Sequence, residues 1–554
     1  VTTHGPAHAR RSGPALGRRA RPAHAHRPAH ARRPGPAHVR RDGPTHPDRP
    51  DTTHEPARRP AHARPARAAG VPSGGLILLV GLVAFITALD NTVVTIALPT
   101  IQRDLGLSLS GLEWVGTSYI LAFGSQLLIG GHACDLLGRR RCLLLGLCLF
   151  GVASLAAAFA GSGAELIVAR LVQGLGGAFA LPAALSVVAV ELPADRRELG
   201  AGVITAAIAV ALALGPLVGG AVVEVSGWGA IFLLNLPVVV VAAVLVRRLV
   251  PVVAPQGPRP PVDLQGGASS AIVLAGVTWI LVQGQAHGYF TAPVLVAAAV
   301  TPVAAVWFWI SEQRAAHPLV ELAMFRNRVF AGGTVAQVLW GLGVNGVFFF
   351  TSIFLQDVLG LPAARAGLAF VPLALAVVAT VPLVPVLSAA LGAARVVAAG
   401  LLLVALGLLA LTRVPAHAGL AAVLPGLILI GAGSGLTTTL TTAMLESFTP
   451  ERSGIAAATV SAAREMSGVL GITVLGAIVV ARETTVRHAG GGPASAFLSG
   501  YRVGLGVAAG LVVVGAVVAA ATLPGRSRSR SPAPETLISG EDAKESDMTA
   551  TAAR

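Results

Sequence analysis

The stretch Leu76-Ile77-Leu78-Leu79-Val80-Gly81-Leu82-Val83-Ala84-Phe85-Ile86-Thr87-Ala88-Leu89-Asp90-Asn91-Thr92-Val93-Val94-Thr95-Ile96-Ala97-Leu98-Pro99 holds a single ionisable side chain, Asp90, in an otherwise largely apolar run. A helix needs about 20 such residues to cross the hydrocarbon of a bilayer, so this run is long enough to span. Further windows of the same kind follow near 112–132, 142–162, 165–188, 201–223, 230–248, 268–286, 294–311, 330–355, 366–388, 394–412, 420–443, 455–481 and 501–523, which makes fourteen in all. Closed barrels are the other way to satisfy a backbone in lipid, but they alternate over about ten residues per strand, and these runs are long and continuous. The fold class expected is therefore an all-α polytopic membrane protein with fourteen transmembrane helices.

Composition agrees: 54% of the chain is hydrophobic and 12% charged, against about 25% charged in soluble domains. Lipid is the main solvent of this fold, and the function lies in or across a membrane. Cys134, Cys142 and Cys148 are too few and too clustered for a disulfide framework and read as packing residues. A Walker-type phosphate loop needs a lysine after its glycines. Lys544, in the acidic tail, is the only lysine, so the chain carries no phosphate-loop ATPase of its own. There is no nucleophile–base constellation, metal-ligand spacing or cofactor loop, and the expectation is a non-enzyme without cofactor or metal.

Residues 1–72 are a Pro/Ala/His/Arg-rich extension with no material for a packed core. In its first 70 residues, 15 arginines and 4 acids account for a net +11 of the chain's +15. The reading favoured is a translation start assigned too far upstream, since the chain begins at Val1, the first methionine is Met324 and Val71 precedes the first span. A disordered cytoplasmic arm able to touch anionic lipid is the alternative, and nucleic acid is not an expected partner. Residues 524–554 read as a second disordered tail.

Arginines sort by loop. Arg139, Arg140, Arg141, Arg196, Arg197, Arg247, Arg248, Arg314, Arg326, Arg328, Arg395 and Arg452 all follow even-numbered spans, while Arg413, Arg482, Arg487 and Arg502 are among those on the other side. By the positive-inside rule both termini are cytoplasmic, and the location is the cell membrane.

Certain polar residues sit where a bilayer makes them expensive. Asp90 lies well inside span one, where a carboxylate costs several kcal/mol unless it is protonated, paired or facing a wet cavity. In span four, Arg170, Gln173, Gly174 and Gly177 are spaced by three, four and seven, which puts them on one helical face. A permanently charged guanidinium and an amide, beside glycines that admit a neighbouring helix, can hold a buried carboxylate; a snorkelling arginine is the plainer alternative. Span five carries Ala207, Ala211, Gly215 and Gly219 at four-residue intervals, with Pro216 and Gly220, a smooth face for close packing and a place where a kink is permitted. Between spans two and three, Gly131, Asp135, Gly138, Arg139 and Arg140 form a candidate conformational latch, in which the arginines bond carboxylates or helix C-terminal carbonyls. Trp114, Tyr119, Gln126, Gln337, Trp340, Asn345 and Phe349 are candidates for a substrate cavity.

These residues together resemble the major facilitator superfamily, specifically its fourteen-span drug:H+ antiporter branch. The loop from Gly131 to Arg141 is similar to the superfamily's signature between spans two and three, departing at Ala133 and Leu136. Arg170, Gln173, Gly174 and Gly177 look like the span-four motif to which the family assigns proton coupling. Gly215-Pro216-Leu217-Val218-Gly219-Gly220 looks like the span-five antiporter motif that marks exporters, with Ala207 and Ala211 where glycines precede it. Asp90 falls on the acidic position of the branch's first-helix motif, with Thr95 in place of an asparagine. Trp228, Phe232, Asn235, Pro237, Glu312, Pro318, the run Phe325–Phe330, the run Leu355–Gly360, and Arg464 with Gly468 extend the likeness over residues 75–523.

The resemblance implies an N-terminal six-helix half (75–248), an inserted two-helix segment with linkers (249–312) and a C-terminal six-helix half (313–523) around a midplane cavity. Gly392-Ala393-Ala394-Arg395 stands where the second half echoes Gly138 and Arg139, without the acid. The expected function is proton-coupled export of an amphipathic drug, antibiotic or secondary metabolite by alternating access, in a monomer that exchanges cargo for protons through Asp90, Arg170 and Gln173. A proton-coupled uptake permease is the alternative, and the span-five motif weighs against it. The tenth span lacks Asp and Glu, which argues for neutral or monovalent amphiphiles over divalent cations.

Overall fold

In the computed structural model of the chain, residues 73–252, 263–315 and 318–524 are described. The two terminal extensions and part of the linker after Leu249 lie outside the described residues, and so does the side chain of Asp135. Everything below concerns the body that begins after Ala68.

Helices account for nearly all of it: α1 (Ser73–Leu105), α2 (Leu109–Leu137), α3 (Arg139–Ala158), α4 (Gly163–Glu191), α5 (Ala194–Ser226), α6 (Gly229–Leu233), α7 (Asn235–Leu249), α8 (Leu264–His287), α9 (Ala292–Arg314), α10 (Arg328–Ile353), α11 (Ala363–Thr380), α12 (Val384–Leu391), α13 (Ala393–Thr412), α14 (Leu424–Leu436), α15 (Thr439–Leu445), α16 (Pro450–His488) and α17 (Pro493–Thr522). The chain is an all-α polytopic membrane protein. Each of the fourteen apolar windows contains helix. Thirteen helical segments among the described residues are long and apolar enough to cross a membrane, with α6 and α7, α11 and α12, and α14 and α15 each joined into one. The remaining window is α2, a continuous helix of 29 residues in which the side chains of Leu128 and Asp135 lie outside the described residues; it carries Glu113, Thr117, Ser118, Tyr119, Ser125 and Gln126. Its polar residues have neighbours to serve, because α2 packs between α4, α8 and α16.

Local chemistry sets the ends. Ser108 caps α2 by accepting from the Gly111 N–H at 3.2 Å. Ser162 caps α4 through the Glu165 N–H, and Glu165 returns a carboxylate oxygen to the Gly161 N–H at 2.8 Å, a reciprocal arrangement that serves two otherwise unpartnered donors. Asp263 and Asn327 cap α8 and α10 in the same manner. Gly138 separates α2 from α3 with φ +80°, and Gly392 separates α12 from α13 with φ +89°. The internal echo suspected at these two glycines is thus a shared backbone conformation that disfavours any side chain.

Packing divides the helices into groups. Helix α4 lies against α2 and α3, and α1 against α5; α13 lies against α14 and α17, and α10 against α16 and α17. Two seams join the groups, α5 to α11 and α2 to α16, while α8 touches both α2 and α16 and carries α9 on its far side. At the end of the bundle where α1 gives way to α2 and α5 to α6 the contacts are closest. There the Gln356 side-chain amide donates to the Ile96 carbonyl at 2.9 Å, Gly367 lies on the Pro216 carbonyl and Gly220 on the Ala363 carbonyl.

Candidate functional site

Asp90 is paired, and its partner is Arg170. The two side chains are 3% and 0% exposed, so the guanidinium turns inward and does not snorkel. One carboxylate oxygen takes the Arg170 Nη1 contact; the other accepts from Gln173 Nε2 and from Asn235 Nδ2, both at 2.7 Å. Both amides also reach the Ser154 hydroxyl, at 2.9 and 3.1 Å, and Arg170 Nη1 donates to Gln173 Oε1 at 2.8 Å. Four spans therefore converge on one carboxylate: α1 gives the acid, α4 the cation and an amide, α3 the hydroxyl, and the break between α6 and α7 gives Asn235. The α4 face predicted from the spacing brings Arg170 and Gln173 together, while Gly174 lets that helix close onto the Tyr119 carbonyl of α2.

Two guanidinium nitrogens of Arg170, Nε and Nη2, have no hydrogen-bond partner. Its guanidinium carbon sits 4.6 Å from the Tyr119 ring centroid and 5.9 Å from that of Phe232, where aromatic faces compensate a desolvated cation. The Tyr119 hydroxyl donates to the Thr87 carbonyl at 3.1 Å, and its ring stacks on Phe123.

On the other side of Tyr119 is a cavity of about 390 Å³. It lies between the two helix groups, within the size range of drug-sized ligand sites. Tyr119, Gln337, Trp340, Asn345 and Phe349 line it, together with Asn91, Thr92 and Thr95 of α1 and Arg464 and Glu465 of α16. Asp90 is not among the lining residues; the Tyr119 ring, which is, lies over the guanidinium of its partner Arg170. Two candidates are corrected. Trp114 lies about 140° around α2 from Tyr119 and packs on Trp279 of α8, ring centroids 5.9 Å apart. Gln126 lies farther along α2 and donates to the Gly267 carbonyl of α8. Both serve the inserted pair, an orientation that depends on where α8 docks.

Glu465 carries no signal in the sequence that sets it apart from the other polar residues of its span. Its neighbour Arg464 and Gly468 marked the right helix, but nothing local says which face of α16 meets the cavity. Ser154 gives no sequence signal, and Asn235 was visible only through the family likeness.

Of the latch residues, Arg139 pairs with Glu191 at the end of α4, at 3.2 Å, and Arg140 donates to the Arg247 carbonyl at the end of α7, at 2.9 Å. Gly131 faces open space. In the span-five motif, Gly215 and Gly219 rest against Thr92 and Val93 of α1, while Pro216 and Gly220 face α11; α5 runs unbroken through Pro216. Cys134 and Cys142 are buried with their sulfurs 3.0 Å apart.

Comparison with known proteins places this geometry in a lineage. Residues 80–472 match the model of the Major Facilitator Superfamily. The chain is 32% identical over 480 residues to the tetracenomycin C resistance and export protein of Streptomyces glaucescens, covering 84% of this chain and 88% of that one. It is 35% identical over 398 residues to the cephamycin export protein of Amycolatopsis lactamdurans, covering 71% and 82%. Among solved structures, a D-xylose-proton symporter superposes with a TM-score of 0.57 at 16% identity, over 82% of this chain and 99% of that one, which speaks for the fold alone. With its helical groups, its span-four arginine and its matched length in agreement, the chain belongs to the Major Facilitator Superfamily.

Proposed function

We propose that this protein exports an amphipathic drug, antibiotic or secondary metabolite across the cell membrane in exchange for protons, by alternating access. The observation that carries the reading is the position of Tyr119, whose ring covers the Arg170 guanidinium and also walls the cavity. Cargo pressing on that ring acts on the Asp90–Arg170 pair. A proton on Asp90 removes the charge that Arg170, Gln173 and Asn235 converge upon and loosens α1 from α4. Proton and cargo then favour different arrangements, and such differential affinity is what couples two ligands. The names of the two relatives, both export proteins, support the direction.

The Arg139 and Arg140 contacts tie α3 to the ends of α4 and α7, which supports the six N-terminal spans moving as one half and the six C-terminal spans as the other. With both termini cytoplasmic, the close contacts of Gly220, Gly367 and Gln356 lie at the outer face, and the cavity is reached from inside. Glu465 is the acid that the tenth span lacks, and beside Arg464 it suits a cargo that is zwitterionic or carries one positive charge. The protein works as a monomer.

The test is transport in proteoliposomes under an imposed pH gradient. Wild type accumulates a fluorescent amphiphile in inverted vesicles acidified inside; Asp90→Asn does not, with flux compared at equal amounts of inserted protein. Undiminished proton-driven transport by Asp90→Asn would remove that carboxyl from the mechanism.

A further inference from the structure

A second carboxyl lies at membrane depth, in a setting opposite to that of Asp90. Glu113, in the second turn of α2, is 0% exposed. Its Oε2 accepts from Gln285 Nε2 of α8 at 2.7 Å, while its Oε1 has no partner, nor has Gln285 Oε1. The carboxyl group is lodged against Gly476 of α16, where any Cβ would fall on Oε1. No ion pair among the described residues includes Glu113. Gln285 is the side chain seen to hydrogen-bond the carboxyl, and among the described residues no charged side chain of α1, α4, α8 or α16 forms an ion pair with it.

Charge decides what this place can hold. A carboxylate removed from water with one neutral donor and no cation is among the most unfavourable buried groups. The neutral acid needs only one acceptor for its hydroxyl, and the oxygen free to carry that hydrogen is Oε1. The location adds a mechanism. The α2–α16 seam runs through Gly124 against Glu465, Gly116 against Ile472 and Glu113 against Gly476, so the carboxyl sits near the α1–α2 end of the line along which the two helix groups meet. Parting of that seam brings it to water, and closure removes it.

We propose that Glu113 is a second proton-binding site, occupied when α2, α8 and α16 close around it and emptied to water when α2 and α16 separate. The occupied state forms when the carboxylate takes a proton from water on the α1–α2 side; the reverse step returns the proton and leaves the ion solvated. Gln285 places one residue of the inserted pair at this site, which makes α8 a sensor of closure as well as a spacer. The opening half of the cycle rests on the alternating-access reading above; the protonated resting state does not.

The experiment uses the full-length protein in nanodiscs and infrared spectroscopy of the carboxylic C=O stretch, with hydrogen–deuterium shifts. Near neutral pH the wild type shows a protonated-acid band that Glu113→Gln lacks, that Glu113→Asp displaces in frequency and that Asp90→Asn retains. Spin labels at Ser110→Cys and Ala481→Cys, on a background in which Cys134, Cys142 and Cys148 are replaced by alanine, give the second readout. The long-distance population grows at alkaline pH in wild type and stays small in Glu113→Gln, which mimics the occupied site. A band unchanged by both Glu113 variants overturns the proposal, as does the same pH response in Glu113→Gln as in wild type. Occupancy that follows sodium concentration and not pH also overturns it. Loss of the export reading, shown by proton-independent transport, leaves the band assignment standing and so is told apart from failure at Glu113.

Discussion

Removal of Asp90 is the perturbation whose size the structure states most directly. Asp90→Ala leaves Arg170, 0% exposed, without its counter-ion; breaking one side of a buried pair costs about 3–5 kcal/mol. Gln173 and Asn235 each lose a charged acceptor at 2.7 Å, but both keep the Ser154 hydroxyl, which holds their added loss to roughly 1 kcal/mol in all. The sum is about 4–6 kcal/mol of destabilisation. Arg170→Leu strands the carboxylate and costs about 3–5 kcal/mol. The double variant Asp90→Ala with Arg170→Leu strands neither charge and should lie within about 2 kcal/mol of wild type. The assay is equilibrium unfolding in mixed micelles for all four proteins, analysed as a double-mutant cycle. A coupling under about 0.5 kcal/mol, the level seen for independent sites, would refute the claim that these side chains stabilise each other.

Other expectations follow from single contacts. Gly220→Val places two methyl groups against the Ala363 carbonyl and should abolish transport while the protein still inserts, as read by proteoliposome flux beside expression. Tyr119→Leu removes the ring between guanidinium and cavity, so cargo should bind but no longer stimulate proton uptake, measured with a pH-sensitive dye. Glu465→Gln should weaken binding of a monovalent cationic amphiphile about tenfold or more, with a neutral analogue changed less than threefold, by fluorescence titration; tenfold corresponds to about 1.4 kcal/mol. Arg139→Ala should cost only about 1 kcal/mol of stability, because its pair with Glu191 is 18% exposed on each side and water softens the loss; the same unfolding assay reads it.

What could be read in advance was whatever depends on neighbours along the chain. Apolar run length set the helices, since a backbone in lipid must satisfy itself within its own segment, and even the least apolar window, α2, is continuous helix. The spacing of Arg170 and Gln173 set their shared face because helical geometry is local. The expectation that Asp90 would be protonated, paired or wet left three outcomes open, and the fold chose pairing, with a cation 80 residues away in sequence.

Tertiary structure alone decided which surfaces meet. The sequence could rank Trp114 and Gln126 as cavity candidates but not know that α8 would cover them, and it could not tell Glu465 from any other polar residue of α16. Ser154, Asn235 and Gly476 became informative only once α3, α7 and α16 brought them to a carboxylate. Rotation and docking of helices depend on side-chain fit over many long-range contacts, whereas the formation of each helix depends on its own residues and the solvent around it.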